Sequence, residues 1–485
     1  MRERITWDDD ALFQQFLLRD AKFNGQFVTG VITTGIYCLP SCPARRPKRE
    51  NVRFFRTPAA AIENGLRACL RCRPDHFYRG AEWHETLFEE TAGRVRANPA
   101  AFAGIPSLAR AAGLSRTALN DLFRDHAHES PAAFLRRTRV EHVCGLLQQG
   151  AKPADAGAAA GFASSSSFHE QFVARTGLTP GAYAGLRDSP EHFTLRLPTP
   201  FRLATVLDFY GRDAESVSES VSATGLRKCF LAGDRPVVAE IRFSEIQFRG
   251  NSAVCETDAG IEGHDAVVRM LGLGSDGAGF ERCHVDDDLL GHSIARQRGL
   301  HVPLTPDPWE ALAWAIIGQQ ISVGFAVTLR RELIRAAGAL HPSGLRAHPS
   351  AAAVAALSVD TLRQLKFSVS KAEYLIGAAR AVAAGELAVD ELRQMSALRA
   401  ARLLTAVRGV GPWTVQYALL RGGGFADCLP AGDAGLAQAL LKITGNRPNE
   451  AGIREALAKY APYRSLATYH LWASLKAPKG DLHEV

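Results

Sequence analysis

The stretch LLTAVRGVGPWTVQYALL (403–420) sets Gly409-Val410-Gly411 between two runs of helical character. A glycine hairpin between helices exposes backbone N–H groups and lets a phosphate approach without meeting a Cβ. On its own such a turn is common and says little. Two further features give it weight. Trp413 and Tyr417 are spaced i, i+4 and share one helix face, so their rings can form one wall. Asp433 follows Gly411 by 22 residues in LPAGDAGLAQAL (429–440), where it also suits the N-cap of a helix over 434–440.

Outward from this stretch, helical periodicity runs from the proline cluster VPLTPDPW (302–309) nearly to the end of the chain. Residues 193–290 carry short β-like runs, FTLRL, RPVVAEIRF and AVVRML, with a polar loop expected over 215–222. Further upstream, SLARAAGLSRTALNDLF (107–123) and ADAGAAAGFASSSSFHEQF (154–172) each read as short helix, glycine turn, helix: two helix-turn-helix candidates. In the first, Ser115 is the expected N-cap of a recognition helix whose exposed residues are Arg116, Thr117 and Asn120. The second offers Ser164 to Ser167, His169, Glu170 and Gln171 rather than arginines, so weaker base contacts are expected from it.

Residues 1–84 mix strand-like stretches such as 26–32 with Gly, Pro and Cys turns. There Cys38 and Cys42 form a C-x3-C, and Cys69 and Cys72 a C-x2-C, the spacing of four thiolates around one tetrahedral Zn2+. A buried structural knot is the plain explanation of such a site. Its surroundings add to that: residues 45–79 hold ten Lys or Arg, among them Arg45 and Arg67, against three acids. That excess points to a polyanion, nucleic acid above all.

With 485 residues the chain exceeds one ordinary core, and 46% hydrophobic with 22% charged residues describes globular, soluble domains. The formal charge of +7 is concentrated before residue 190. The remaining cysteines, Cys144, Cys229, Cys255, Cys283 and Cys428, lack a disulfide framework, which argues for a reducing compartment. The N-terminus MRERITWDDD is too charged for a signal peptide, and no apolar run approaches a membrane span. The expectation is a cytoplasmic bacterial protein, associated with the nucleoid, without a membrane partner.

GIYCLPSCPAR (35–45), RENVRFF (49–55) and LRACLRC (66–72) resemble the N-terminal domain of the Ada family of alkylation-response proteins. The resemblance implies that Cys38 accepts a methyl group from a DNA methylphosphotriester and that zinc is not consumed. Four thiolates around a dication leave a negative site. Methylating Cys38 removes one negative charge, lessens repulsion from phosphates and tightens DNA binding, a chemical switch for transcription. Gly161-Phe162, Phe168, Phe172 and TGLTPGAY (176–183) resemble the paired helix-turn-helix of AraC-type regulators. Ada-type proteins carry Pro-Cys-His-Arg in a second methyltransferase; the nearest string here is Arg282-Cys283-His284-Val285, so Cys283 is read as structural.

The hairpin with Asp433 resembles the helix-hairpin-helix glycosylases, and residues 195–480 the AlkA-type 3-methyladenine glycosylases. This implies extrusion of an alkylated base into an aromatic pocket of Phe209, Trp413, Tyr417 and Trp472, with cation–π attraction for cationic purines. Core packing is the bland explanation of each aromatic taken singly. Asp433 would stabilise the oxocarbenium-like sugar. Strand-cutting relatives have a lysine where this chain has Trp413, so the implied enzyme is monofunctional. Gln320 in IIGQQISV (316–323) aligns with the residue that fills the gap left by the flipped base, where relatives often carry leucine.

The expected architecture is multidomain α+β: a zinc domain over 1–84, an all-α helix-turn-helix domain over 85–188, a β-rich domain over 189–300 and an all-α helix-hairpin-helix domain over 301–485. Expected partners are alkylated and promoter duplex DNA and RNA polymerase, the chain acting as a monomer with one Zn2+. The alternative is a methyl-responsive transcription regulator whose C-terminal half only binds lesions.

Overall fold

The computed structural model describes residues 7–79, 81–188, 191–246 and 250–475. Residues 1–6, part of the stretch read against a signal peptide, and the expected join at 189–190 lie outside the described residues. The chain divides into two compact units, residues 1–92 with 109–122, and residues 93–108 with 123–485.

In the first unit four short strands, β1 (Val28–Val31), β2 (Ile36–Cys38), β3 (Val52–Phe55) and β4 (Arg67–Ala68), form a sheet in the order β3-β1-β2-β4. The expected strand over 26–32 is thus present as β1. Only the β2–β4 pairing is parallel, and it carries Cys38 and the chain leading to Cys69 to the same end of the sheet. Gly30 is required on β1: a Cβ there would lie 2.4 Å from Leu66 Cδ1 and 2.6 Å from the Phe55 ring. The apolar clusters are small, one built on Leu12, Phe16, Phe27, Val52 and Phe54, the other on Val28, Tyr37, Ala61 and Leu66. Cores of this size need a staple.

The first helix-turn-helix candidate forms helices Ile105–Ala111 and Arg116–Ala127, the latter a turn longer than read from sequence. Ser115 caps it as expected, its Oγ accepting from Ala118 N at 3.1 Å. In the second unit, helices Pro153–Ala159 and Ser165–Thr176 form the second candidate, with Ser164 Oγ accepting from Ser167 N. Phe162, Phe168, Phe172 and Tyr183 make a ladder of ring contacts 5.1 to 5.8 Å apart. The Gly-Phe string is therefore a packing motif.

Five antiparallel strands follow, β5 (His192–Arg196), β6 (Glu219–Ser222), β7 (Gly225–Ala232), β8 (Arg235–Ile246) and β9 (Gly250–Thr257), in the order β5-β9-β8-β7-β6. Val237, Ala239 and Ile241 alternate inward along β8. Two expectations fail here. AVVRML lies mostly in helix Gly260–Met270, because Gly263, Ala266, Val267 and Met270 recur at helical spacing and are buried. The supposed loop over 215–222 ends in β6, where Glu219 is buried. Its carboxylate accepts from Lys228 Nζ at 2.9 Å and from Arg330 Nη1 at 2.8 Å, and no local pattern could report those partners. Both cations also reach Glu310 of helix Pro308–Gly318, which ties the sheet to the helical core.

The rest is helical around one large core running from Phe280 to Leu471. Cys283, read as structural, is exposed near the end of helix Gly277–His284. No helix among the described residues is long and apolar enough to cross a membrane.

Candidate functional site

Helix Pro412–Ala418 begins directly after the glycine hairpin, and its face carries Trp413 and Tyr417 with ring centroids 5.3 Å apart in a stacked arrangement. Tyr417 lies 6.0 Å from the ring of Trp472, on helix Arg464–Ser474. Asp433 meets this wall in two ways. It is the N-cap of helix Ala434–Thr444, with Oδ1 accepting from Leu436 N at 2.9 Å. It also accepts from both indoles: Trp472 Nε1 donates to Oδ1 at 2.9 Å and Trp413 Nε1 to Oδ2 at 3.0 Å. Capping and a chemical role are compatible, since the cap fixes the rotamer and the indoles aim the carboxylate. Gly435 leaves room for this: a Cβ there would lie 2.9 Å from Asp433 Oδ1.

Phe209 joins the cluster through a cation. The guanidinium of Arg421 lies 4.4 Å from the Phe209 centroid, 4.5 Å from Tyr469 and 5.4 Å from Trp472. Arg212 lies over Phe209 as well, at 4.2 Å. The four expected pocket aromatics are therefore brought together, but with two arginines among them.

The hairpin differs from the expectation in one respect. Val410 is buried and its N–H donates to Val407 O at 3.0 Å, so that group serves the turn. Gly409, at φ +86°, packs on Tyr374, where a Cβ would lie 2.2 Å from ring carbon Cγ. Gly411 is the N-cap of the Trp413 helix. Gln320 is exposed with φ +57°, an uncommon conformation for a non-glycine residue. Its turn is fastened on both sides. Gln319 Nε2 donates to Gly409 O at 2.8 Å and Thr414 Oγ1 at 2.9 Å. Lys371 Nζ donates to Ile317 O at 2.8 Å and to Gln319 O, and burial draws its pKa down.

In the first unit the sulfurs of Cys38, Cys42, Cys69 and Cys72 lie within 4.8 Å of one another. Three are buried and Cys72 is partly so. The donor set fits Zn2+. Four thiolates can coexist at such range only around a cation. Leu39 N donates to Cys72 Sγ at 3.4 Å, steadying that corner. Arg45, Arg67, Arg116 and Thr117 are exposed, while Asn120 is half-buried.

Sequence reasoning missed Arg421, Arg212, Gln319, Lys371 and Tyr469. Arg421 had a signal, because it continues the Trp413, Tyr417 series by another four residues. Gln319 adjoins Gln320 and Arg212 follows Phe209 by three residues, while Lys371 and Tyr469 come from distant segments and carry no local mark.

Three family models match: the metal binding domain of Ada over residues 11–75, a helix-turn-helix domain over 108–185, and the HhH-GPD superfamily of base excision DNA repair proteins over 313–462. The third match places Trp413 and Asp433 within a helix-hairpin-helix domain of the base-excision class. The "DNA-3-methyladenine glycosylase 2" of Escherichia coli is 30% identical over 289 residues, spanning 58% of this chain and 96% of that protein. The chain belongs to the DNA-3-methyladenine glycosylase family, preceded by an Ada-type zinc-binding domain and a helix-turn-helix region. A "Probable bifunctional transcriptional activator/DNA repair enzyme AlkA" of Mycobacterium tuberculosis is 28% identical and aligns over 97% of both chains. Among solved structures, the 3-methyladenine DNA glycosylase from Archaeoglobus fulgidus covers 58% of this chain and 97% of its own, at 22% identity and a TM-score of 0.52; it shares the fold. The four-cysteine cluster is a one-zinc site.

Proposed function

We propose that this chain is a bifunctional alkylation-damage protein: a monofunctional DNA-3-methyladenine glycosylase joined to a methyl-accepting, DNA-binding transcription activator. The observation that carries the first half is the Asp433 carboxylate, held by the indole N–H groups of Trp413 and Trp472 at the edge of the Trp413–Tyr417 stack. An alkylated base turned out of the duplex stacks against this wall, and Gln320 occupies the gap it leaves. The C1′–N bond breaks with its electron pair going to the base. Asp433 offsets the positive charge that develops on the sugar, and water forms the new C1′–O bond as one of its O–H bonds breaks and the proton passes to solvent. Trp413 offers no amine to form a Schiff base, so the product is an abasic site in an intact strand.

In the first unit, Cys38, Cys42, Cys69 and Cys72 hold the zinc, which when bound keeps the sulfurs deprotonated. The Cys38 sulfur takes the methyl carbon of a DNA methylphosphotriester; an S–C bond forms, the C–O bond breaks and an ordinary phosphodiester leaves. One negative charge is lost from the site, and Arg45 and Arg67 then hold DNA more tightly. Arg116, Thr117 and Asn120 read the promoter, and Gly409 and Gly411 grip the lesion strand while the Val410 N–H holds the turn. The four segments 1–84, 85–188, 189–300 and 301–485 are the functional divisions. RNA polymerase is the partner at the promoter, and the protein works as a monomer in the bacterial cytoplasm, at the nucleoid. Release of methylpurine from N-methylated duplex, with methyl transfer from phosphotriester DNA scored beside it, tests both halves.

A further inference from the structure

The aromatic slot that is expected to attract cationic bases already contains a fixed cation. Arg421 lies in the one-turn π-helix Leu419–Gly423, directly after the helix that carries Trp413 and Tyr417, and is 3% exposed. Turns of this kind recur at functional sites because they shift the helix register and re-aim side chains. Arg421 Nη1 donates to Pro303 O at 2.7 Å, and its Nε has no partner among the described residues. Its guanidinium is directed instead at rings, 4.4 Å from Phe209 and 5.4 Å from Trp472. Arg212 adds a second guanidinium 4.2 Å from Phe209 and 4.4 Å from Trp314.

An arginine in a protein stays charged. An aromatic face attracts a cation through its quadrupole, but a cation already lying over that ring opposes the arrival of another. The groups that bear on a flipped base therefore divide. Asp433 favours positive charge, while Arg421 and Arg212 oppose it. We infer that Arg421 is a specificity-determining residue that weakens the slot's preference for positively charged bases, so that neutral damaged bases compete for it. This rests on the base-release reading above.

The test measures single-turnover base release by the full chain from two duplexes, one with cationic 7-methylguanine and one with neutral 1,N6-ethenoadenine. The readout is the ratio of the two rates. Arg421→Gln should raise the cationic-to-neutral ratio about three- to ten-fold, the range expected for one unit charge removed at close range. Arg421→Lys keeps the charge and should keep the wild-type ratio. Equal shifts in both variants would mean that packing, not charge, sets the ratio, and would overturn the inference; no shift in Arg421→Gln would overturn it too. Should the Arg421 variants fail to fold, Arg212→Gln decides, since that side chain is only half-buried. A smaller rise in the ratio supports the inference and an unchanged ratio sinks it. Wild type releasing neither base would defeat the glycosylase reading itself, and the inference with it.

Discussion

Trp472 Nε1 donates to Asp433 Oδ1 at 2.9 Å, so a residue of the aromatic wall also holds the carboxylate proposed to offset charge on the sugar. On the proposed reading, stacking and charge stabilisation are joined in one side chain. Trp472→Phe keeps a ring but removes the donor. A hydrogen bond to a charged group contributes roughly 1.5–3 kcal/mol, so release should slow by about ten-fold or more, with DNA affinity nearly unchanged. In an Asp433→Asn background the same substitution should cost much less, and a double-mutant cycle on single-turnover rates measures the difference.

Zinc should matter to only one of the two activities. The apolar clusters around the zinc domain's sheet are small, and the four sulfurs hold its end together. Stripping the metal with a chelator under denaturing stress, then returning to buffer, should abolish methyl acceptance and promoter binding. Base release should persist, because Asp433, Trp413 and Trp472 belong to the other unit. Loss of both activities in parallel would contradict this.

Asp287 predicts a pH dependence. Burial works against its charge, but Lys459, the Tyr460 hydroxyl and the N–H groups of Leu290 and Leu289 hold its pKa at about 2, below the ordinary 3.8. A depressed carboxylate stabilises the fold above its unfolded pKa and loses that contribution as pH falls through the folded value, here from near 4 toward 2. Asp287→Asn should therefore cost about 2 kcal/mol at neutral pH, and the gap from wild type should close below the folded pKa. Urea midpoints across the acid range check this.

Lys228 is fully buried between Glu219 and Glu310. Lys228→Met leaves Arg330 alone to face two carboxylates. Breaking a buried pair in this way costs about 3–5 kcal/mol, which a thermal melt of the full chain would register as a clear fall in Tm.

Much of this site was legible because chemistry fixes spacing. Four thiolates for one ion constrain Cys38, Cys42, Cys69 and Cys72 to two short loops, and Asp433 sits where a helix must start. Trp413 and Tyr417 follow from one helical face. The arginines among the aromatics were legible only in part: Arg421 continues the spacing of Trp413 and Tyr417, but its meeting with Phe209 spans more than two hundred residues of chain and arises only through tertiary packing. The same reason hid β6, where Glu219 reads as a solvated loop residue until Lys228 and Arg330 are placed beside it. AVVRML misled in the opposite sense: adjacent valines suggest a strand, but burial at helical spacing decided for helix.

The proposed switch depends on one sulfur. Cys38→Ala should leave base release intact and remove the tightening of promoter binding that follows exposure to methylphosphotriester DNA, read by titration at fixed salt. Methyl-dependent tightening in that variant would rule out Cys38 as the acceptor.

The most direct test of the account is the quantity of methylpurine released from N-methylated duplex DNA by wild type and by Asp433→Asn. The account predicts release by wild type, a fall of at least about a hundred-fold in the variant, and DNA affinity largely kept in both. Release by the variant at the wild-type rate would contradict the role of Asp433. Release by neither would leave a protein that binds damaged DNA and signals it without excising the base.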